Sequence, residues 1–145
     1  MKQTKRPLLK LDQGNGSMQK VVLDSDIIID HFRAGSSTFN QLLEGSVGNI
    51  IKVYLPGVVY TEINSGQDSK NASKLREIEE LTEIFEFTPA DKTLYQKAGF
   101  LIRDIKSLKL ADAIIAAITL SLNAKLATRN IKDFQDIKGL KFFTK

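Results

Sequence analysis

The chain has 145 residues, 42% of them hydrophobic and 26% charged, with no cysteine and a formal net charge of +4. That size fits one domain able to bury a core; the composition excludes a disordered chain, and the lack of cysteine excludes disulfides and thiolate metal sites. No apolar run approaches the roughly 20 residues of a membrane span, and the basic, polar start carries no secretory signal pattern, so a cytoplasmic address follows.

Residues 1–17 hold Lys2, Lys5, Arg6 and Lys10 against Asp12, so three of the four net charges precede Met18. The total therefore decides little about a nucleic-acid face, which depends on local patches. Gly14-Asn15-Gly16-Ser17 reads as a linker before a fresh start at Met18. This marks 1–17 as a leader or tag and 18–145 as a single domain. The other reading of 1–17 is a basic arm that touches nucleic acid.

Val21-Val22-Leu23 is a short, β-branched, continuous apolar run, the pattern of a buried strand. Asp24, Ser25 and Asp26 stop it and offer caps to a helix whose apolar stripe is Ile27, Ile28, Ile29 and Phe32. Residues 36–44 form a second short helix with Phe39, Leu42 and Leu43 inward and Gly45 as its stop. A second strand over 50–55 is ended by Pro56-Gly57, and 58–63 starts a helix that Asn64-Ser65-Gly66 breaks. Residues 70–82 make a charged surface helix, with Leu75, Ile78 and Leu81 spaced by three. A third strand over 84–87 turns at Pro89, and a helix over 92–105 buries Leu94, Ala98, Leu101, Ile102 and Ile105. The phenylalanines Phe85, Phe87, Phe100, Phe142 and Phe143 read as core, and His31 as solvent-facing or locally hydrogen-bonded. Ala111 to Leu122 is an alanine-rich helix suited to close packing on a sheet, with Asp112 in its first turn. Residues 125–128 give a fourth strand, ending in Thr128-Arg129-Asn130. A loop with Asp133 and Phe134 follows, and 140–143 could add an edge strand. Strands alternating with helices predict an α/β fold with a mainly parallel sheet of four to five strands.

Asp24, Glu62, Asp112 and Asn130 all fall beyond the carboxyl ends of strands or on the helices that start there. In a parallel sheet those ends share one edge, the usual place for a ligand. Asp24, Asp26 and Asp112 also admit a plainer reading as helix caps and first-turn charges. Packed carboxylates repel, and some take up protons; a divalent cation removes that conflict. Oxygen-only ligands suit Mg²⁺ or Mn²⁺ rather than Zn²⁺. Such a centre can hold a phosphodiester, lower the pKa of a bound water and stabilise the leaving oxygen, without a Ser–His or Cys–His pair.

Leu23-Asp24-Ser25-Asp26 with Asp30, Thr61-Glu62, residues 111–117, and Thr128-Arg129-Asn130 with Asp133-Phe134 together resemble the PIN-domain ribonucleases. The branch they resemble most is the VapC-type toxins of toxin–antitoxin pairs. The resemblance runs from about Val21 to Phe143. It implies a three-layer α/β/α sandwich, Mg²⁺- or Mn²⁺-dependent endonucleolytic cleavage of an RNA substrate, a homodimer, and a cognate antitoxin that inhibits the site. It also implies roles. Asp24 and Asp112 match the main metal ligands. Glu62 matches the acid that binds the metal through water or positions the attacking water. Asn130 matches a fourth position where the family carries Asp or Asn. Thr128 would orient that corner, Arg129 would meet phosphate, and Asp30 and Asp133 would lend support. Asp26 stands where the family usually has Asn, which sets an extra carboxylate beside the site. The helices over 70–82 and 92–105 would form the groove for an antitoxin segment.

Two alternatives accompany this reading. Asp24-Ser25-Asp26 also fits the paired aspartates of haloacid-dehalogenase-like phosphatases, Asp24 as nucleophile and Asp26 as acid/base. That chemistry needs an acidic pair where this chain has Thr128-Arg129-Asn130. The second alternative is a degenerate scaffold of the same fold that only binds a protein partner.

Overall fold

Val21, Val22 and Leu23 are fully buried, although successive strand residues point to opposite faces of a sheet. Both faces must therefore be covered, the mark of a parallel sheet between helical layers. In the computed structural model, which describes residues 18–144, the strand they form, β1 (Gln19–Leu23), sits at the centre of a five-stranded sheet. The other strands are β2 (Ile51–Pro56), β3 (Glu86–Thr88), β4 (Lys125–Ala127) and β5 (Lys141–Phe142), in the order β3-β2-β1-β4-β5. Every neighbouring pair is parallel; Val21 stands opposite Val53 on one side and Lys125 on the other. The proposed leader, 1–17, lies outside the described residues.

Helices α1 (Ser25–Ala34) and α2 (Ser37–Val47) connect β1 to β2. The β2–β3 connection holds α3 (Gly57–Asn64), a short 3₁₀ turn (Gln67–Lys70) and α4 (Ala72–Thr82). Helices α5 (Lys92–Asp104) and α6 (Leu110–Ser121) carry the chain back from β3 to β4, and the short α7 (Ile131–Phe134) precedes β5. Right-handed crossovers direct the helices between β1 and β3 to one face and α5–α6 to the other, a three-layer sandwich, with α3 touching both α1 and α6. The chain walks one way from β1 and the opposite way from β4, so the carboxyl ends of these neighbouring strands flank the topological switch point. Helix α6 is the core of its layer: Ala113 through Thr119 are all buried, a pattern apolar around the whole helix.

Several local expectations change. Gly45 does not stop the second helix but lies buried inside α2, which runs on to Val47. A Cβ there would stand 2.5 Å from Ile51 Cδ1 and 2.7 Å from Ile51 Cγ1, so the glycine is needed for close approach of α2 to β2. Gly45→Ala is expected to destabilise the fold by about 1–2 kcal/mol, because overpacking outweighs the gain in helix propensity; a urea melt measures it. Phe87 and Phe100 are 52% and 46% exposed and are not core. Both lie on margins, Phe87 edge-on to Tyr60 and Phe100 beneath the Arg103 guanidinium. His31 is part-buried, and its Nδ1 is buried without a hydrogen-bond partner among the described residues. Its ring stacks on Phe39 with centroids 4.1 Å apart, because α1 turns it toward α2. Asp133 sits on α7 rather than in a loop.

Candidate active site

Asp24 follows the last residue of β1 and caps α1: its Oδ1 accepts from the Ser25 N–H at 2.8 Å. Its main-chain N–H donates to Ala127 O at 3.0 Å, continuing the β1–β4 pairing past the strand end. Its Oδ2 accepts from Thr128 Oγ1 at 2.8 Å, so the first turn after β4 grips the first residue after β1. Asp24 thus caps α1, as the plainer reading expects. Only 6% of Asp24 is exposed. Burial, with the nearby charges of Asp26 and Asp112, pushes its pKa from 3.8 up to about 6 despite the two hydrogen bonds.

Asp26, in the first turn of α1, gathers the residues after β4. Its Oδ2 accepts from Arg129 N at 3.0 Å and Asn130 Nδ2 at 3.0 Å, with Thr128 Oγ1 at 3.3 Å. Burial raises its pKa, and Asp30 adds to the effect, while the bonds from Arg129 and Thr128 oppose it. Arg129 Nη1 forms an ion pair with Asp30 Oδ2. Asp30, expected as support for this corner, therefore holds it through Arg129.

Asp112 opens α6 and is half-buried. Its pKa is raised first by burial, then by the charges of Asp133 and Glu62, and by Asp26; Lys109 opposes the shift. Glu62 reaches this group from α3, and Asp133 from α7. All nine expected residues converge on one edge of the sheet. Hydrogen bonds join Asp24, Asp26, Thr128, Arg129 and Asn130, with Asp30 attached through its ion pair; electrostatic coupling joins Asp112, Glu62 and Asp133 to them. Lys109 is a participant that the sequence analysis does not single out. Its position three residues before Asp112 was the only signal available.

The donor set is all oxygen, and burial plus mutual repulsion penalises the charged forms of Asp24 and Asp112, so a cation bound there would relieve both. Among the described residues no three acidic or histidine side chains form a ready-made metal cage. An all-oxygen donor set is of the kind that hard divalent cations take, with water completing the shell. Asp26 does not suit acid/base duty in a phosphatase, since one oxygen is engaged by the β4–α7 turn and the other is buried.

A sequence model of the PIN domain family matches residues 21–140. No curated protein matches the chain in sequence. Among solved structures, VapBC-1 of nontypeable Haemophilus influenzae aligns with TM-score 0.70 at 24% identity, covering 86% of this chain and 97% of that one. VapBC2 of Rickettsia felis, bound to a DNA fragment from the promoter, aligns with TM-score 0.73 at 19% identity over 86% and 98%. A toxin–antitoxin complex from Klebsiella pneumoniae gives TM-score 0.66 at 27% identity over 83% and 94%.

Proposed function

This chain belongs to the PIN domain family, and we propose that it is a divalent-metal-dependent endoribonuclease, the toxin of a toxin–antitoxin pair. The observation that carries the reading is the buried Asp24 and half-buried Asp112 at the switch point of a parallel sheet, each with its charged form penalised by burial and by neighbouring carboxylates, with Glu62, Asp133 and Asn130 around them. Asp24 and Asp112 would hold the metal, and Glu62 would act on it through water. Bound there, Mg²⁺ or Mn²⁺ supplies positive charge to a phosphodiester and lowers the pKa of an attacking water. The chain's own residues do the positioning. Thr128 fixes the plane of the Asp24 carboxylate, and Asp30 holds the Arg129 side chain. Arg129 and Arg33 border a cleft of about 570 Å³ beside Asp30, where their charges suit RNA phosphates.

The solved Klebsiella neighbour is a toxin–antitoxin complex, which supports a cognate antitoxin for this chain. The groove expected from α4 and α5 is one candidate for it, with α5 packed along α6. Another candidate is a cleft of about 390 Å³ that opens beside Glu62, with Ile29 and Phe32 of α1 and Ile78 of α4. Phe87 and Tyr95, both more than half exposed, are candidates for a homodimer contact. A cytoplasmic address is part of this proposal; no helix among the described residues is long and apolar enough to cross a membrane.

A panel of structured and unstructured RNAs, incubated with Mg²⁺ or Mn²⁺ and in parallel with EDTA, tests the reading. Cleavage with metal and none with EDTA is expected. The second reading, a scaffold that only binds a partner, rests on Asn130 standing where a fourth acid would add charge. That reading predicts no cleavage of any RNA and no Mn²⁺ binding by calorimetry.

A further inference from the structure

The hydrogen bonds of Asp26 describe a more specific task than adding negative charge beside Asp24. One oxygen, Oδ2, faces three consecutive residues after β4: the Thr128 hydroxyl, the Arg129 N–H and the Asn130 side-chain amide. The other, Oδ1, is buried and has no hydrogen-bond partner among the described residues. A buried carboxylate with one oxygen unsatisfied is costly. Joining β1 to β4 does not require it, because main-chain pairing already extends to the Asp24 N–H.

We propose that Asp26 is a positioning residue that sets which end of the Asn130 amide is offered to the site. An amide facing a carboxylate is attracted only through its NH₂ end. The carboxylate of Asp26 therefore turns Asn130 Nδ2 inward and leaves Oδ1 as the outward end. Asn130 Oδ1 accepts no hydrogen bond within the described residues, whereas the Asn130 main-chain N–H is tied to Thr128 Oγ1 at 3.0 Å. The residue is thus fixed at backbone and side chain with one acceptor left open, as a ligand of a hydrated cation or a water requires. Asp26 and Asn130 form a unit of one carboxylate and one amide. Exchanging the two groups keeps the hydrogen bond and reverses its donor.

The consequence for cleavage rests on the nuclease reading, while the geometry does not, so the test has two arms. In the first, the side-chain NH₂ signal of Asn130 is followed by ¹⁵N–¹H NMR in the full chain and assigned by its loss in Asn130→Asp. It is expected to exchange with solvent at least about tenfold more slowly in wild type than in Asp26→Ala. Equal exchange rates in the two proteins would overturn the proposal, whether or not any RNA is cut. In the second arm, RNA cleavage and Mn²⁺ affinity by calorimetry are compared for wild type, Asp26→Asn, Asn130→Asp and the double variant, with melting curves to show that each is folded. Asn130→Asp sets two carboxylates face to face. It is expected to lower kcat about tenfold with little change in KM, and the double variant to return to within about threefold of wild type. Penalties that simply multiply in the double variant would contradict the proposal. If wild type cuts no RNA, the nuclease reading fails, and the NMR and Mn²⁺ data still decide the role of Asp26.

Discussion

Asp24→Asn is expected to abolish RNA cleavage, by on the order of 10³-fold, and to make the metal-free protein more stable near neutral pH. Both effects have one cause. The fold buries Asp24 beside Asp26 and Asp112 and holds its proton up to about pH 6, against 3.8 ordinarily. Between those values the folded state binds more protons than the unfolded one, so stability falls as pH rises. Above about pH 6 the full cost applies, roughly 3 kcal/mol for a shift of about two pKa units. A neutral amide removes that cost while keeping the Ser25 contact, and the Thr128 hydroxyl can turn its proton to Asp26 Oδ2 instead. Urea melts without metal should therefore show Asp24→Asn about 1–3 kcal/mol more stable than wild type at pH 7. The two should converge at pH 4. A variant less stable than wild type at pH 7 would mean that the Asp24 charge supports the fold.

Asp112→Asn is expected to reduce cleavage by on the order of 10²–10³-fold and to remove most of the stabilisation that Mn²⁺ gives the wild-type protein. Asp112 shares its surroundings with Asp133 and Glu62, and their repulsion raises its pKa in the absence of a cation. Adding Mn²⁺ at pH 7 should raise the wild-type melting temperature and leave both Asp24→Asn and Asp112→Asn nearly unmoved. An undiminished shift in Asp112→Asn would place the ion elsewhere. Lys109 opposes the same repulsion, so Lys109→Ala should increase the metal-free strain on Asp112, visible as a higher Asp112 pKa by NMR titration.

The sheet was readable in the sequence because its strands leave no choice. Val21-Val22-Leu23 and Val53-Tyr54-Leu55 are continuous apolar runs too short to be helices, and both proved buried on both faces. The site was readable because a parallel sheet brings all its carboxyl ends to one edge, so Asp24, Asp112 and Asn130 could be grouped before any contact was known. What escaped depends on distances between elements. Gly45 looks like a helix stop in one dimension, and only the approach of Ile51 reveals that it admits a neighbour. Phe87 alternates like a core residue, but β3 is an edge strand and leaves it half open. Asp26 could be named as an extra carboxylate; that it gathers Thr128, Arg129 and Asn130 depends on the side-by-side pairing of β1 and β4. His31 stacks on Phe39 because α2 folds back on α1, which no local pattern announces.

The most direct test is the rate at which wild type and Asp24→Asn cut one susceptible RNA as Mn²⁺ is titrated in, removed with EDTA and added back. The account predicts that wild-type cutting rises with Mn²⁺, stops in EDTA and returns on re-addition, with Asp24→Asn inert throughout. Cleavage that persists in EDTA, or that Asp24→Asn carries out at the wild-type rate, would contradict it.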